Sequence, residues 1–199
     1  MRNFLYGILF LAFAGILCIQ ARAQTQALEL GREGDLLHVA APKLHFLEGK
    51  PLEKLHDGAS VTFVLTLTAG AEDGKAHYFR LQERFVVSFD LWEEKFSVLR
   101  TGPGGRSASR LSAAMAEAWC LENMPMPVRV VPAQEPFVIR LECGIADNGE
   151  ESGGDPRTAL TLAGLIDVFS RKKSEAPPRW EAAAGPLRLQ EVKTIRRAR

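Results

Sequence analysis

The chain has little of what usually betrays a chemistry. Its 199 residues include only three cysteines and four histidines. There is no Cys-x-x-Cys, and no two histidines stand at helical ligand spacing, so no metal site is legible. A G-x-S-x-G elbow, a P-loop and a full dinucleotide glycine fingerprint are all missing, and no cofactor can be assigned from motifs. An excess of one charge is missing too, since the formal net charge is +1. No internal repeat occurs.

What is present begins with an export address. Arg2 supplies a positive start, Phe4 to Ile19 form an almost unbroken apolar run, and Ala21-Arg22-Ala23 supplies the A-x-A pattern of signal peptidase cleavage. The run of about 16 residues falls short of the roughly 20 that span a bilayer. A retained anchor and a lipoprotein through Cys18 are the alternatives; Ile16 and Leu17 stand before Cys18 where small residues are usual. The expectation is a signal peptide over residues 1–23, cleaved after Ala23, and a periplasmic or extracellular product that touches the membrane only through that peptide. Removing Arg2 and Arg22 from 25 basic side chains leaves 23 against 24 acidic ones. Such balance lacks the positive field that nucleic-acid binding draws on.

Cys120 and Cys143 survive cleavage, in a compartment where an accessible pair oxidises. Cys143 falls on the apolar side of a strand, whereas Cys120 lies about 180° from the apolar stripe of its helix at 100° per residue. One disulfide is conceivable, yet this geometry turns the thiols different ways, and their pairing stays open.

Residues 24–34 read as a flexible polar lead-in, 35–192 as one β-rich domain and 193–199 as a basic tail. Leu36 to Val39 and Leu44 to Leu47 look like short strands broken by Pro42, and Pro51 to His56 like a helical turn. From Ser60 the pattern sharpens. Val61, Phe63, Leu65 and Leu67 alternate with Thr62, Val64, Thr66 and Thr68, the period of a half-buried strand. Asp73-Gly74 marks a hairpin turn, and Phe79, Leu81, Phe85, Val87 and Phe89 continue on the return strand. Glu83 interrupts that face, which suggests a bend or bulge. A second hairpin runs through Asp90 to Lys95 into Phe96 to Arg100.

After the glycine-rich Thr101 to Arg106, Ser107 or Ser109 is placed to cap a helix with Leu111, Ala114, Met115, Ala118 and Trp119 on one face. Val128 to Val131 and Phe137 to Ile145 follow as strands, then an acidic loop over 146–154. Asp155-Pro156 can start a helix over Thr158 to Ser170, although a strand fits as well. Lys172 to Arg179 reads as a loop and Leu187 to Val192 as the last strand. The expected fold is mainly β: an antiparallel, β-sandwich-like α+β domain of roughly six to nine strands with one or two packed helices.

Leu52-x-x-Leu55-x-x-Gly58-x-x-Val61-x-Phe63, the hairpin with Ser88-Phe89-Asp90-Leu91-Trp92, and the strand start Met126-Pro127-Val128 together resemble a family of exported bacterial β-rich proteins of unknown function. The resemblance covers roughly Val39 to Ile145. It implies a secreted β-rich domain, one whose relatives often sit near sensor-kinase genes, and hence a sensory partner of a membrane kinase. It supplies no catalytic residue.

Each candidate site has a plainer rival. Gly102 to Ser107 could cradle an anion at a helix start, but it reads better as a connecting loop. Ser107 or Ser109 with one of His38, His45, His56 and His77 would still need a third orienting group to act as a nucleophile. Asp90, Glu93 and Glu94 are more simply solvated turn residues than a glycosidase pair. Asp147, Asn148, Glu150, Glu151 and Asp155 depart from calcium-loop spacing. Arg171 to Lys173 and Lys193 to Arg199 could meet anionic lipid, and fit a solvated loop and tail more simply. Trp92, with Phe89 and Phe96 close in sequence, is the most informative cluster. An exposed tryptophan on a hairpin can anchor a protein or a glycan, but such a residue is more often a cap on the core. With clear fold signals and no clustered chemistry, the expected function is a non-enzymatic binding or structural module of the cell envelope, its partner an envelope protein or glycan. An envelope hydrolase whose site is assembled from sequence-distant residues is the alternative.

Overall fold

A computed structural model describes residues 26–146 and 178–195. The strands are β1 (Gln26–Ala27), β2 (Glu29–Glu33), β3 (Leu36–Ala40), β4 (Val61–Ala71), β5 (His77–Asp90), β6 (Lys95–Arg100), β7 (Arg106–Leu111), β8 (Met126–Pro127), β9 (Phe137–Ile145), β10 (Arg179–Leu187) and β11 (Lys193–Thr194). Two helices join them, α1 (Lys50–His56) and α2 (Ala113–Glu122). The strands form a seven-stranded sheet in the order β1-β10-β9-β4-β5-β6-β7 and a four-stranded sheet in the order β11-β2-β3-β8. The fold is mainly β and sandwich-like, as the alternation in the sequence implied.

The centre of the large sheet follows from period two. Val61, Phe63, Leu65, Leu67 and Ala69 on β4 are buried, as are Phe137, Ile139, Leu141 and Cys143 on β9. Intervening Thr62, Thr66 and Thr68 lie on the outer, partly solvated face. Phe46 meets Phe63 at 4.9 Å between ring centroids and Trp180 at 6.4 Å, so the segment after β3 packs onto the large sheet. Burying a phenylalanine of this kind contributes about 1.5 to 3 kcal/mol.

The β4–β5 hairpin forms where Asp73-Gly74 placed it. Its irregularity is at Ala69/Gly70, not at Glu83, which pairs in register with Leu65. Glu83 keeps its place on the inner face because Arg100 lies 3.9 Å away, giving the carboxylate a partial partner. Gly70 is required at the bulge: a Cβ there would stand 2.7 Å from the Ala76 carbonyl oxygen.

Several expectations are corrected. Gln26–Ala27 and Glu29–Glu33 of the supposed lead-in are strands; β1 adds to β10 in parallel and β2 pairs with β3. Leu44 to Leu47 is not a strand, because the Leu44 amide closes a turn onto the Ala41 carbonyl and those of Phe46 and Leu47 are drawn to a side chain on α2. Arg106 to Leu111 forms β7 in place of a helix start, and Ser112 is the cap, accepting from the Met115 N–H at 3.3 Å. The helix buries Ala116, Glu117, Cys120 and Leu121, while Met115 is exposed. With apolar residues almost all round it, this helix has its inner face chosen by tertiary packing and not by its own periodicity. Val128 to Val130 is a 3₁₀ turn, and the last long strand is Arg179–Leu187, followed by another such turn at Leu189–Glu191. Lys193 and Thr194 of the supposed tail pair with β2. The acidic loop beyond Ala146 and the segment 158–170 lie outside the described residues. No helix among the described residues is long and apolar enough to cross a membrane.

Candidate functional site

Among the described residues two places gather chemically capable side chains. The first is the tip of the β5–β6 hairpin. Asp90 ends β5, and its Oδ1 accepts from the N–H groups of Trp92 at 2.8 Å and Glu93 at 3.0 Å. These bonds lower the Asp90 pKa below the ordinary aspartate value, the Glu93 amide contributing most and the Trp92 amide next. Glu94 closes the four-residue turn in the left-handed region at φ 53°, a conformation that lets such a loop rejoin the next strand. The backbone of the tip is thus held by its own side-chain and backbone geometry.

On that frame Trp92 is 97% exposed and Leu91 57%. Phe96 is buried, and Phe89 packs against it at 4.8 Å and against His56 of α1 at 4.5 Å, both ring pairs tilted. The three aromatics therefore divide: Phe89 and Phe96 are the footing of the hairpin, and Trp92 is what it displays. A core cap would have turned the indole inward. The indole is left as open apolar surface on a turn tied by two hydrogen bonds.

The second place is a cleft of about 330 Å³ between β3 and α2, with Val39, Ala41, Pro42, Ala118 and Leu121 among its walls. His45 and Glu117 lie at its edge, their Nδ1 and Oε2 atoms 3.1 Å apart. The side chain of Glu117 is 8% exposed and that of His45 55%. Glu117 Oε1 also accepts from the Phe46 N–H at 2.8 Å and the Leu47 N–H at 2.9 Å. A buried carboxylate must find partners, and this one finds three in a loop 70 to 72 residues away. Both oxygens are committed, so Glu117 fastens the 44–47 loop to α2. Sequence reasoning missed it. The available signal was an acid in the middle of an otherwise apolar helix.

The remaining candidates separate in space. His38 is buried 3.6 Å from Glu33, His56 packs against Phe89, and His77 begins β5. Ser107 and Ser109 lie on β7, so Gly102 to Arg106 leads into a strand and not a helix start. Glu93 pairs with Arg110 at 3.2 Å, and Asp90 serves its own turn. Asp147, Asn148, Glu150, Glu151, Asp155 and Arg171 to Lys173 lie outside the described residues. Among the described residues no three His, Cys, Asp or Glu side chains converge on a metal position.

Cys120 and Cys143 are free thiols, both buried. Cys120 does not face away from the core as its helical position implied, because α2 is rotated to turn it inward. Burial raises both pKa values; for Cys120 the charge of Glu117 adds to this, and for Cys143 Cys120 and then Glu117 do. Such thiols stay protonated and are poor nucleophiles. Comparison with protein-family models, with curated proteins and with solved structures finds no match.

Proposed function

We propose that the chain is an exported, non-enzymatic binding module of the cell envelope that engages a protein or glycan through the β5–β6 hairpin tip. The observation that carries this reading is the nearly complete exposure of Trp92 on a turn whose backbone Asp90 already holds. Ordering a loop on binding costs affinity, and a turn ordered beforehand avoids that cost. An indole offers area for stacking on a sugar face or filling an apolar pocket. Arg2, the apolar Phe4 to Ile19 and the Ala21-Arg22-Ala23 triplet support export followed by cleavage after Ala23. Glu117 favours this reading over a hydrolase, since its two oxygens hold backbone amides and His45 in place of a reacting group.

Two measurements test the proposal. The protein recovered from a periplasmic or extracellular fraction is expected to begin at Gln24; an intact precursor in the cytosol overturns the export half. Affinity capture from solubilised envelopes is expected to retain a partner with the natural chain and to lose it with Trp92→Ala. Equal retention by both overturns the binding half.

A further inference from the structure

The kind of partner can be narrowed, on the assumption that the hairpin tip is a binding site. Among the described residues β7 is the last strand of the large sheet and hydrogen-bonds to β6 on one side only. Arg106, Ser107, Ser109 and Arg110 are exposed, Ala108 is half-buried, and Leu111 alone is buried. An edge of this kind presents N–H and C=O groups to which an extended peptide can add.

Charge decides between a second copy and another partner. Arg106 and Arg110 are both exposed, one on each side of Ala108 in the chain. Pairing β7 with its own copy gathers four guanidinium groups on one short edge, and like charges brought together across a strand pair are destabilising. The strand therefore resists pairing with itself, whereas its guanidinium groups suit carboxylates.

The edge is also joined to the displayed tryptophan. Between the pairs Val98↔Ala108 and Phe96↔Leu111, β7 carries one extra residue, and Arg110 in this bulge adopts a left-handed φ of 61°. Bulges re-aim side chains at sheet edges. Here the result is an Arg110 Nε that lies 3.2 Å from Glu93 Oε2, in the same turn as Trp92. The tip and the C-terminal end of β7 form one continuous surface.

We propose that β7 accepts an extended acidic segment of a partner protein as an added strand, with an apolar residue of that segment covering Trp92. The test uses the mature chain and two fluorescein-labelled decapeptides ending in Leu-Leu, one alternating Val with Glu and the other Val with Lys, read by anisotropy at low salt. The Glu peptide is expected to bind at least about tenfold tighter than the Lys peptide. In the double variant Arg106→Glu with Arg110→Glu the preference reverses, and in Arg106→Gln with Arg110→Gln it disappears. Bound Glu peptide slows amide hydrogen exchange over residues 106–111, and Trp92→Ala weakens its binding.

The proposal is overturned if neither peptide binds, if both bind alike, if the preference survives either double variant, or if binding leaves exchange over 106–111 unchanged. An envelope oligosaccharide that shifts Trp92 fluorescence without protecting β7 also overturns it, while leaving the binding-module reading standing. Loss of that broader reading is told apart by the envelope capture itself, where Trp92→Ala would then make no difference.

Discussion

Replacing Glu117 by alanine removes one acceptor shared by two backbone amides, those of Phe46 and Leu47, and the partner of His45. Hydrogen bonds to a charged group contribute about 1.5 to 3 kcal/mol each. The His45 contact adds little, since that imidazole is more than half exposed and water can replace its hydrogen bond. Two amide bonds thus set an upper bound of about 6 kcal/mol, and rehydration of the freed loop through the adjoining cleft recovers part of it. The expected destabilisation is about 2 to 4 kcal/mol, or roughly 5 to 15 °C in Tm for a chain of this length. Glu117→Gln keeps the carbonyl acceptor and is expected to lose about 1 kcal/mol. The assay is urea unfolding of the purified mature chain, with amide exchange of Phe46 and Leu47 as the local readout. If Glu117→Ala unfolds within about 0.5 kcal/mol of the natural chain, or the two amides stay equally protected, the fastening role is wrong.

Trp92→Ala is expected to change stability by less than about 0.5 kcal/mol, because the side chain gains almost no burial on folding. Phe63→Ala, at a fully buried position, is expected to cost about 3 to 5 kcal/mol in the same unfolding assay. Asp90 has a lowered pKa in the folded chain, so its hold on the tip is complete above its ordinary value of 3.8 and is lost as pH falls through the lowered folded value. Fast exchange of the Trp92 and Glu93 amides should appear only on that acidic side, and pH-independent exchange once intrinsic rates are corrected for would refute it. Cys120 and Cys143 are expected to resist a thiol reagent in the native protein and to react in denaturant; rapid native labelling would contradict their burial.

The parts of the fold legible in the sequence are those where one face is buried and the other wet. β4 and β9 announced themselves by strict alternation, and the two hairpins by Asp73-Gly74 and by the run from Asp90 to Lys95. Short strands at the sheet margins were illegible because so few residues carry no period. Gln26–Ala27 and Lys193–Thr194 become strands only because β10 and β2 offer them free edges. The face of α2 was misjudged for a related reason: Ala, Met, Trp and Leu distribute apolar surface around it, and the buried Glu117 was the better indicator of its inner side. At the candidate site, the sequence grouped Trp92, Phe89 and Phe96, while only the geometry separates the displayed indole from its two supporting rings. Arg110 was beyond reach, since its role comes from a bulge that pairing with β6 creates.

The most direct test of the binding reading places a photo-crosslinking residue at position 92 in living cells, with Arg80 on the outer face of β5 as the control position. The account predicts an adduct with one envelope component from position 92 and none from position 80. Identical patterns from the two positions, or no adduct from position 92, would contradict it.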